Sequence, residues 1–427
     1  MSIALLAIAL ATASPAIGKA PPKDADASTG RDGPQPWQED GLGWGGFPFA
    51  NYSTYSGAGF GALGSVFFYD GQTAPYKSEL YFLVYASTKG VQTHRLQYDW
   101  LAVGGSRLRL TTRTEFVADF SGNYCGASAP GDCSDGAAMA AAEAAGIIDD
   151  PHNDDDAYDR FTRRYYKVRE VRPNWYMLGR WAIREDGPRL EVFGSYYGER
   201  KRPGDFSETA PWPGSLYEQD FGSTEAGYVS LLQVGLMADG RDNEPAPVRG
   251  HWAEVSVRQA GRLTGSTFSY GGLNLTERVY VPLGTDRVVL ADRAVVDLMW
   301  GAPPTSEMVR SGGTDFYYWF GGQRAGRGIR WRRVLGTART MNQTELRATV
   351  KTWTPGTATV DLTPIVFFDA AYWADGLAAF GSGAFMYGTG GGMRIAINKN
   401  FILRGDIGVS PLEDWAPSVY LDVKNLF

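Results

Sequence analysis

A strongly basic cluster stands out as the part of the chain best suited to bind an anion. It lies in "AGRGIRWRRVLG", residues 325–336, and consists of Arg327, Arg330, Arg332 and Arg333. Guanidinium groups stay charged and bind carboxylates or phosphates through paired N–H groups. The whole chain has a net charge of −6, whereas a nucleic-acid site needs a basic face with stacking aromatic rings. We therefore expect no nucleic-acid partner, which leaves a solvated loop or arginines paired with acids of the same molecule.

Residues suited to catalysis or metal binding are sparse. The histidines are scattered and none lies in a serine-nucleophile or metal motif: His94, His152 and His251. The two cysteines, Cys125 and Cys133 in "CGASAPGDC", predict a small disulfide if the chain is exported. The acidic run at 149–159 lacks the glycine and the distal glutamate of a calcium loop. We expect no catalytic residue, no cofactor and no metal.

The elements that carry these residues are predicted to be long strands. From Arg107 to Phe120 apolar residues alternate with polar ones, the period of a strand with one wet and one apolar face. The pattern recurs at 79–86, 175–184 and 418–427, and in the last stretch Val419, Leu421, Val423 and Phe427 share a face. Strands of this length favour a membrane barrel, although a secreted β-sandwich or propeller would share much of the composition.

Strand and connection lengths define the predicted fold. About sixteen strands fit between residue 47 and the end, with a short first strand at 47–54 and the sixth at 161–184. The longest connections, at 122–160, 200–222, 300–339 and 373–387, all fall on one side. The predicted fold is all-β: a transmembrane antiparallel β-barrel of about sixteen strands with long extracellular loops.

The beginning of the chain predicts export. Residues 1–20 contain an apolar run followed by small residues, which is typical of a secretory signal peptide. Residues 21–45 are rich in Pro, Asp and Gly and are predicted to be a disordered periplasmic tether. Residues 46–427 would then form the barrel, in a Gram-negative type of outer membrane.

Five stretches, in order, resemble the bacterial surface antigen superfamily of outer-membrane barrels, which includes the assembly factors BamA and TamA. They are Gly46–Asp70, Met237–Arg258, "ELR" at Glu345–Arg347, "PIVFFDAAYW" at Pro364–Trp373, and the stretch from Gly390 to Phe427. The assembly factors carry POTRA modules before the barrel. Because no such module fits between Ala20 and Phe47, we expect a barrel-only member.

The resemblance implies a role for one arginine of the cluster. In the family the sixth extracellular loop folds into the barrel, so Arg327 would pair with Asp369, close to Glu345, with Gly328 allowing the turn. The "VRG" at 248–250 matches the loop motif more closely, but it lies at a strand start. Gly326 and Ile329 replace the family's aliphatic and aromatic residues, so we expect the loop tip to pack less firmly.

The resemblance also implies a function. Such barrels aid the insertion or translocation of proteins or lipids without ATP, by opening the seam between the first and last strands. Val419, Leu421, Val423 and Phe427 would form the C-terminal signal that is recognised for insertion. Expected partners are outer-membrane lipids and lipopolysaccharide, with unfolded outer-membrane proteins or a separate periplasmic delivery protein as further candidates. The alternative is a structural or pore-forming barrel and surface antigen without insertase activity.

Overall fold

The computed structural model describes residues 40–53, 56–73, 76–126, 133–147, 157–204, 214–244, 246–314, 320–355, 359–397, 401–423 and 425–427. The predicted signal peptide at 1–20, most of the tether at 21–45 and most of the acidic run at 149–159 lie outside these residues.

Strands make up most of the described chain. They are β1 (Asp40–Ser53), β2 (Gly57–Asp70), β3 (Ser78–Ser87), β4 (Val91–Trp100), β5 (Leu108–Asn123), β6 (Lys167–Arg184), β7 (Arg189–Pro203), β8 (Gly227–Asp239), β9 (Gly250–Ala260), β10 (Tyr270–Pro282), β11 (Val288–Gly301), β12 (Ala338–Ala348), β13 (Lys351–Trp353), β14 (Val360–Ala374), β15 (Ala384–Ile397), β16 (Phe401–Val409) and β17 (Ser418–Val423).

Helices are short and lie in the connections: α1 (Asp135–Ala144), α2 (Ala157–Arg164), α3 (Leu216–Phe221) and α4 (Thr305–Met308). Within the described ranges, none of them has the length and apolar character needed to cross a membrane. Single 3₁₀ turns occupy Val103–Gly105, Gly222–Glu225, Arg262–Thr264, Leu377–Ser382 and Pro411–Glu413.

The strands form one closed antiparallel barrel. Each strand pairs with the next along the chain, and β17 returns to pair with β1. β12 and β13 both pair with β14, so together they occupy one strand position in the barrel wall. We call each such position a stave, and the barrel has sixteen of them. The predicted fold is therefore confirmed. Antiparallel order places the connections 124–166, 204–226, 302–337, 375–383 and 410–417 at one end, and the turns 185–188, 240–249 and 283–287 at the other.

Alternation along each strand separates the two faces of the wall. On β5, Glu115, Val117 and Asp119 are buried, whereas Phe116 and Phe120 are exposed. Successive side chains of a strand point to opposite faces, so one face lines the interior and the other forms the outer wall. The outer wall is apolar, as a membrane barrel requires, and the interior holds the charged residues.

Two predicted strand starts are wrong. β1 begins at Asp40 rather than 47, so residues 40–45 of the predicted tether belong to the barrel. In this segment glycines surround Leu42 and Trp44, so apolar residues do not alternate with polar ones, yet its backbone pairs with β2 from Asp40 opposite Asp70 onward. β6 begins at Lys167 rather than 161, because α2 occupies the preceding residues and the β5–β6 ladder ends at Asn123 opposite Lys167.

The connection between β11 and β12 folds into the barrel. We call residues 302–337 the lumen loop; its described parts are 302–314 and 320–337. One buried cluster joins the loop to the inner wall, with Phe320, Ala325, Ile329 and Val334 from the loop and Val295, Met341, Ala371, Trp373 and Met386 from the strands. Burying these side chains against each other gives the loop its own hydrophobic core inside the barrel.

Candidate lumenal lock and barrel seam

Arg327 lies at the centre of the interior, fully buried. Its Nε and Nη2 donate to the two carboxylate oxygens of Asp369, each at 2.9 Å. Its Nη1 donates to Oε1 of Glu345 at 2.7 Å. The backbone N–H of Arg327 also donates to Asp369, at 2.9 Å. The structure thus brings together three of the residues that the resemblance selected, and the guanidinium uses the paired geometry available to arginine alone.

The arginine belongs to a larger network that balances its charge. Four acids and four arginines meet on the inner walls of β12 to β17 and in the loop: Glu345, Asp369, Asp406 and Asp422 with Arg327, Arg347, Arg394 and Arg404. Glu345 is the hub, since its Oε1 also accepts from Arg394 at 3.1 Å and its Oε2 accepts from Arg347 at 2.8 Å. Buried charges are tolerated when they are paired in this way.

Charge and ring contacts keep Arg327 protonated. Burial by itself lowers the pKa of the guanidinium, but Asp369 and Glu345 more than offset this and raise the pKa above its ordinary value. The guanidinium carbon also lies 3.5 Å from the centroid of the Phe367 ring, within the range of a cation–π contact. Arg327 therefore remains charged across the physiological pH range.

Glycines let the loop backbone approach the wall. Gly328 has φ +97°, and a Cβ there would lie 2.6 Å from the backbone atoms of Val409 on β16. Gly326 has φ +68°, and a Cβ there would lie 2.8 Å from Phe320 and from the backbone N of Gly321. Ile329 is fully buried. The expectation of a loosely packed tip is wrong, because Gly326 permits a tighter turn and Ile329 fills the cluster.

The other arginines of the cluster find acids elsewhere. Arg332 crosses the interior to Glu170 on β6, where both side chains are buried. Arg330 and Arg333 both pair with Glu413, in the connection between β16 and β17, at 2.8 and 3.3 Å. Sequence reasoning had left these three unassigned. The lumen loop is thus fastened to opposite walls, by Arg327 on one side and Arg332 on the other.

The lumen loop contacts the last strand and the residues just before it. Arg330 and Arg333 reach Glu413 above β17. Midway, the N–H of Gly328 donates to the hydroxyl of Tyr420 at 3.1 Å. Beyond the other end of β17, Arg347 of β12 bonds to Glu345, and its Nη2 donates to the carbonyl of Phe427 at 3.2 Å. The lumen loop and β12 therefore both contact the last strand or its flanking residues from the interior.

The seam between β1 and β17 carries little pairing of its own. Ser53 opposite Tyr420 is the one residue pair between the two strands in the described part of the chain. By contrast, β1 pairs with β2 from Asp40 to Ser53. The expected weak seam is present, although β1 is long rather than short. Because β17 has only six residues, most of the outer edge of β1 has no pairing with it among the described residues.

The predicted C-terminal signal is divided between two faces. Val419 and Leu421 lie on β17, with Leu421 on the exposed side, and Val423 ends that strand. Phe427 does not continue the alternation. It lies beyond β17 with its ring buried inside the barrel against Tyr280. The expectation of a shared face is therefore wrong for Phe427, because the chain leaves the sheet before it.

The remaining predicted positions are placed as follows. Cys125 and Cys133 form a disulfide in the connection between β5 and β6. The "VRG" stretch does lie at a strand start, since Gly250 begins β9, and Arg249 pairs with Asp286 on the surface at 2.6 Å. No group of His, Cys, Asp and Glu suited to a metal ion occurs among the residues that the structure describes.

Sequence reasoning missed Asp406, Arg394, Arg347 and Glu170. Their positions follow from register: Arg394 faces Arg404 across the β15–β16 ladder, and Asp406 faces Gly392. Inward-facing charges on successive strands were a usable signal, because a polar residue on the interior side of a strand needs a partner. Which acids meet which arginines depends on the stagger of the strands.

Comparisons with known proteins agree with this geometry. Residues 160–413 match the profile described as the Omp85 superfamily domain. No curated protein matches the sequence. Among solved structures, BamA from Haemophilus ducreyi lacking POTRA domains 1–3 is similar with a TM-score of 0.53 and 11% identity, over 90% of this chain and 70% of that one.

Two CdiB structures are similar in fold as well. CdiB from Escherichia coli has a TM-score of 0.57 and 10% identity, over 90% of this chain and 62% of that one. CdiB from Acinetobacter baumannii has a TM-score of 0.50 and 9% identity, over 90% and 59%. The chain therefore spans about three fifths of the length of either CdiB structure.

Proposed function

This protein belongs to the Omp85 superfamily, and from that premise we propose that it aids the insertion or translocation of proteins, or of lipids, at the outer membrane without ATP. The observation that carries the proposal is the way in which β17 is held, with little pairing to β1 and with contacts from the barrel interior. The strand shares one residue pair with β1 among the described residues, while the lumen loop bonds to Tyr420 within it and to Glu413 before it, and Arg347 of β12 bonds to Phe427 after it. The seam is thus closed mainly from inside.

The proposed mechanism starts with release of β17 from the lumen loop. Once β17 moves, the outer edge of β1, Asp40–Ser53, presents the unpaired N–H and C=O groups of alternate residues, since the groups on its other edge pair with β2. An exposed strand edge templates pairing with another extended segment. An incoming segment would gain main-chain hydrogen bonds at β1 while its apolar side chains face the membrane, so strand pairing replaces an external energy source.

The Arg327 network would limit how far the barrel loosens during this step. Arg327 fastens the lumen loop to β12, β14 and β16, on the side of the barrel that ends at the seam. Arg332 fastens it to β6 on the far side. With both contacts intact, β17 can shift while the rest of the wall keeps its stagger.

The partners follow from the same proposal. The exposed apolar side chains of the outer wall would meet membrane lipids, with lipopolysaccharide on the outer side. Unfolded outer-membrane proteins are the substrates that strand pairing would serve, and a separate periplasmic protein could deliver them. Residues 1–20 would act as the export signal.

The alternative is a structural or pore-forming barrel without insertase activity. The contents of the interior argue against a wide pore, since Phe320, Arg327 and Ile329 of the lumen loop are all buried between the walls. The experiment below separates the two functions.

The test is reconstitution of the purified barrel in liposomes, with a urea-unfolded eight-stranded outer-membrane protein as substrate. The double variant Ser53→Cys/Tyr420→Cys places a disulfide across the seam, at the residue pair that joins β1 to β17. We expect the wild-type barrel and the reduced variant to speed substrate folding, and the oxidised variant to lose that effect. Equal rates with empty liposomes, together with steady ion conductance, would contradict the proposal and favour a pore. Oxidised and reduced forms of one protein share every side-chain change, and the wild-type barrel with and without reductant controls for the native Cys125–Cys133 disulfide.

A further inference from the structure

Phe427 fills a buried pocket on the inner wall. Its ring is 6% exposed and packs against Tyr280 of β10 and Val289 and Ala291 of β11. β10 and β11 are several staves away from β17 along the wall, so the segment Asn425–Phe427 turns inward beneath the barrel to reach them. The contact is one between distant parts of the barrel rather than the end of a strand ladder.

Two guanidinium groups border the same ring. The Arg293 and Arg347 guanidinium carbons lie 5.1 and 5.2 Å from its centroid, which is cation–π range. Arg347 also donates to the main-chain carbonyl of Phe427 at 3.2 Å. The pocket therefore contacts two features of its occupant, an aromatic face and the main-chain carbonyl oxygen of the same residue. We call Tyr280, Val289, Ala291, Arg293 and Arg347 the aromatic pocket.

The aromatic pocket lies at the end of the barrel with the short turns. Val289 is the second residue of β11 and follows directly on the turn 283–287. Val248, in the turn 240–249, packs against the same cluster, as does Leu426. In a barrel of this superfamily that end faces the periplasm, where an unfolded segment would arrive.

The occupant is held by contacts that another peptide could reproduce. β17 ends at Val423, so Phe427 lies outside the β-ladder. Phe427 is held by the packing of its ring, by the neighbouring Leu426 side chain, and by the hydrogen bond that Arg347 donates to its main-chain carbonyl oxygen. An aromatic residue in any extended segment offers the same ring and the same carbonyl.

We propose that the aromatic pocket is a binding site for an aromatic residue of an unfolded polypeptide segment, and that Phe427 is the internal occupant such a segment displaces. The inference rests on the proposed function for the identity of the substrate. Displacement of Phe427 would disturb the Arg327 ion-pair network, because Arg347 also donates to Glu345, which accepts a hydrogen bond from Arg327. Binding at the periplasmic end would thus loosen both the end of β17 and the network that positions the lumen loop.

The test uses a labelled peptide, SVYLDVKNLF, which is residues 418–427 of the chain itself. Its binding is measured by fluorescence anisotropy to the full-length barrel in detergent, as wild type and as Phe427→Ala. We expect at least tenfold tighter binding to Phe427→Ala, because the tethered ring competes for the site in the wild type. The matched control peptide ends in Ala and should bind both proteins weakly. Equal affinity for the two proteins, or equal affinity of the two peptides, would overturn the proposal.

A second measurement keeps the proposal testable if Phe427→Ala does not fold. A photoreactive benzoylphenylalanine in place of Phe427 should crosslink within the chain to β10 or β11, and excess unlabelled peptide should reduce that crosslink. An unchanged crosslink at saturating peptide would refute displacement. Neither readout depends on the seam, so a barrel that binds peptide but fails the liposome test would contradict the proposed function alone, and the reverse outcome would contradict the pocket alone.

Discussion

The N–H of Gly328 donates to the hydroxyl of Tyr420 at 3.1 Å, and the same Tyr420 faces Ser53 across the seam. The tip of the lumen loop and the junction of the first and last strands therefore share one residue. A single hydrogen bond joins the tip of the loop to the seam. This relationship makes the lumen loop a structural part of the seam.

Arg327→Ala should destabilise the barrel strongly. The change leaves Asp369 without its guanidinium partner and removes one partner each from Glu345 and Asp406, which keep Arg394, and breaking a buried pair costs about 3 to 5 kcal/mol. We expect loss of heat-modifiable gel migration at a lower temperature than in the wild type. Arg330→Ala is the matched control, because its side chain is 55% exposed and an exposed pair contributes about 0 to 1 kcal/mol. An unchanged migration profile and unchanged protease resistance in Arg327→Ala would show that the ion pairs of Arg327 are not needed for the stability of the barrel.

Arg332 and Glu170 should show energetic coupling across the interior. The two residues come from the lumen loop and from β6, and both are buried. A double-mutant cycle with Arg332→Gln and Glu170→Gln should give a coupling energy of about 0.5 to 3 kcal/mol, as for residues in direct contact. Either single change should also raise ion conductance in planar bilayers, because the loop loses its attachment to the far wall. Additive effects on unfolding and unchanged conductance would rule out the second attachment.

Gly328→Ala should cost more than a change at another glycine of similar backbone conformation. Gly328 has φ +97° and backbone atoms of Val409 at 2.6 Å from the position of a Cβ. Gly284, in the turn 283–287, has φ +75° with no atom within 4 Å, so Gly284→Ala reports the backbone strain alone, about 1 to 2 kcal/mol. Thermal unfolding of the two variants in detergent gives the difference. Equal losses would mean that the loop can move away from β16 without penalty.

Tyr420→Phe should loosen the seam while leaving the ring in place. The N–H of Gly328 then loses its acceptor in a buried setting, which costs about 1 to 3 kcal/mol. We expect faster crosslinking of a cysteine at Ser53 to a bulky maleimide, since Ser53 is buried beside Tyr420 in the closed barrel. Tyr52→Phe is the control, because that tyrosine lies on the exposed side of β1. Equal labelling rates in the two variants would show that the hydrogen bond between the lumen loop and Tyr420 does not keep the seam closed.

Local sequence carried most of the information about the wall. Alternation along Arg107–Phe120 is a property of neighbouring residues, and it correctly predicted a long strand with a wet interior face, as β5 shows with Glu115 inside and Phe116 outside. The same local character explains the error at β1, which was predicted too short. Its glycine-rich start, with Leu42 and Trp44 between glycines, shows no contrast of apolar and polar residues, and the backbone pairing with β2 makes that segment a strand.

The sequence by itself determined the all-β barrel of about sixteen strands, and its resemblance to a known family, together with position in the strand order, selected Arg327, Asp369 and Glu345. What only the tertiary structure decided were contacts between residues far apart in the chain: Arg332 with Glu170, Arg327 with Asp406, and Phe427 with Tyr280. The physical reason is that alternation places a side chain inside or outside the wall, whereas the stagger of the strands and the path of the lumen loop determine which inward charges meet. Phe427 is the clearest case, since it has the spacing of an outward residue and yet lies inside the barrel once β17 has ended.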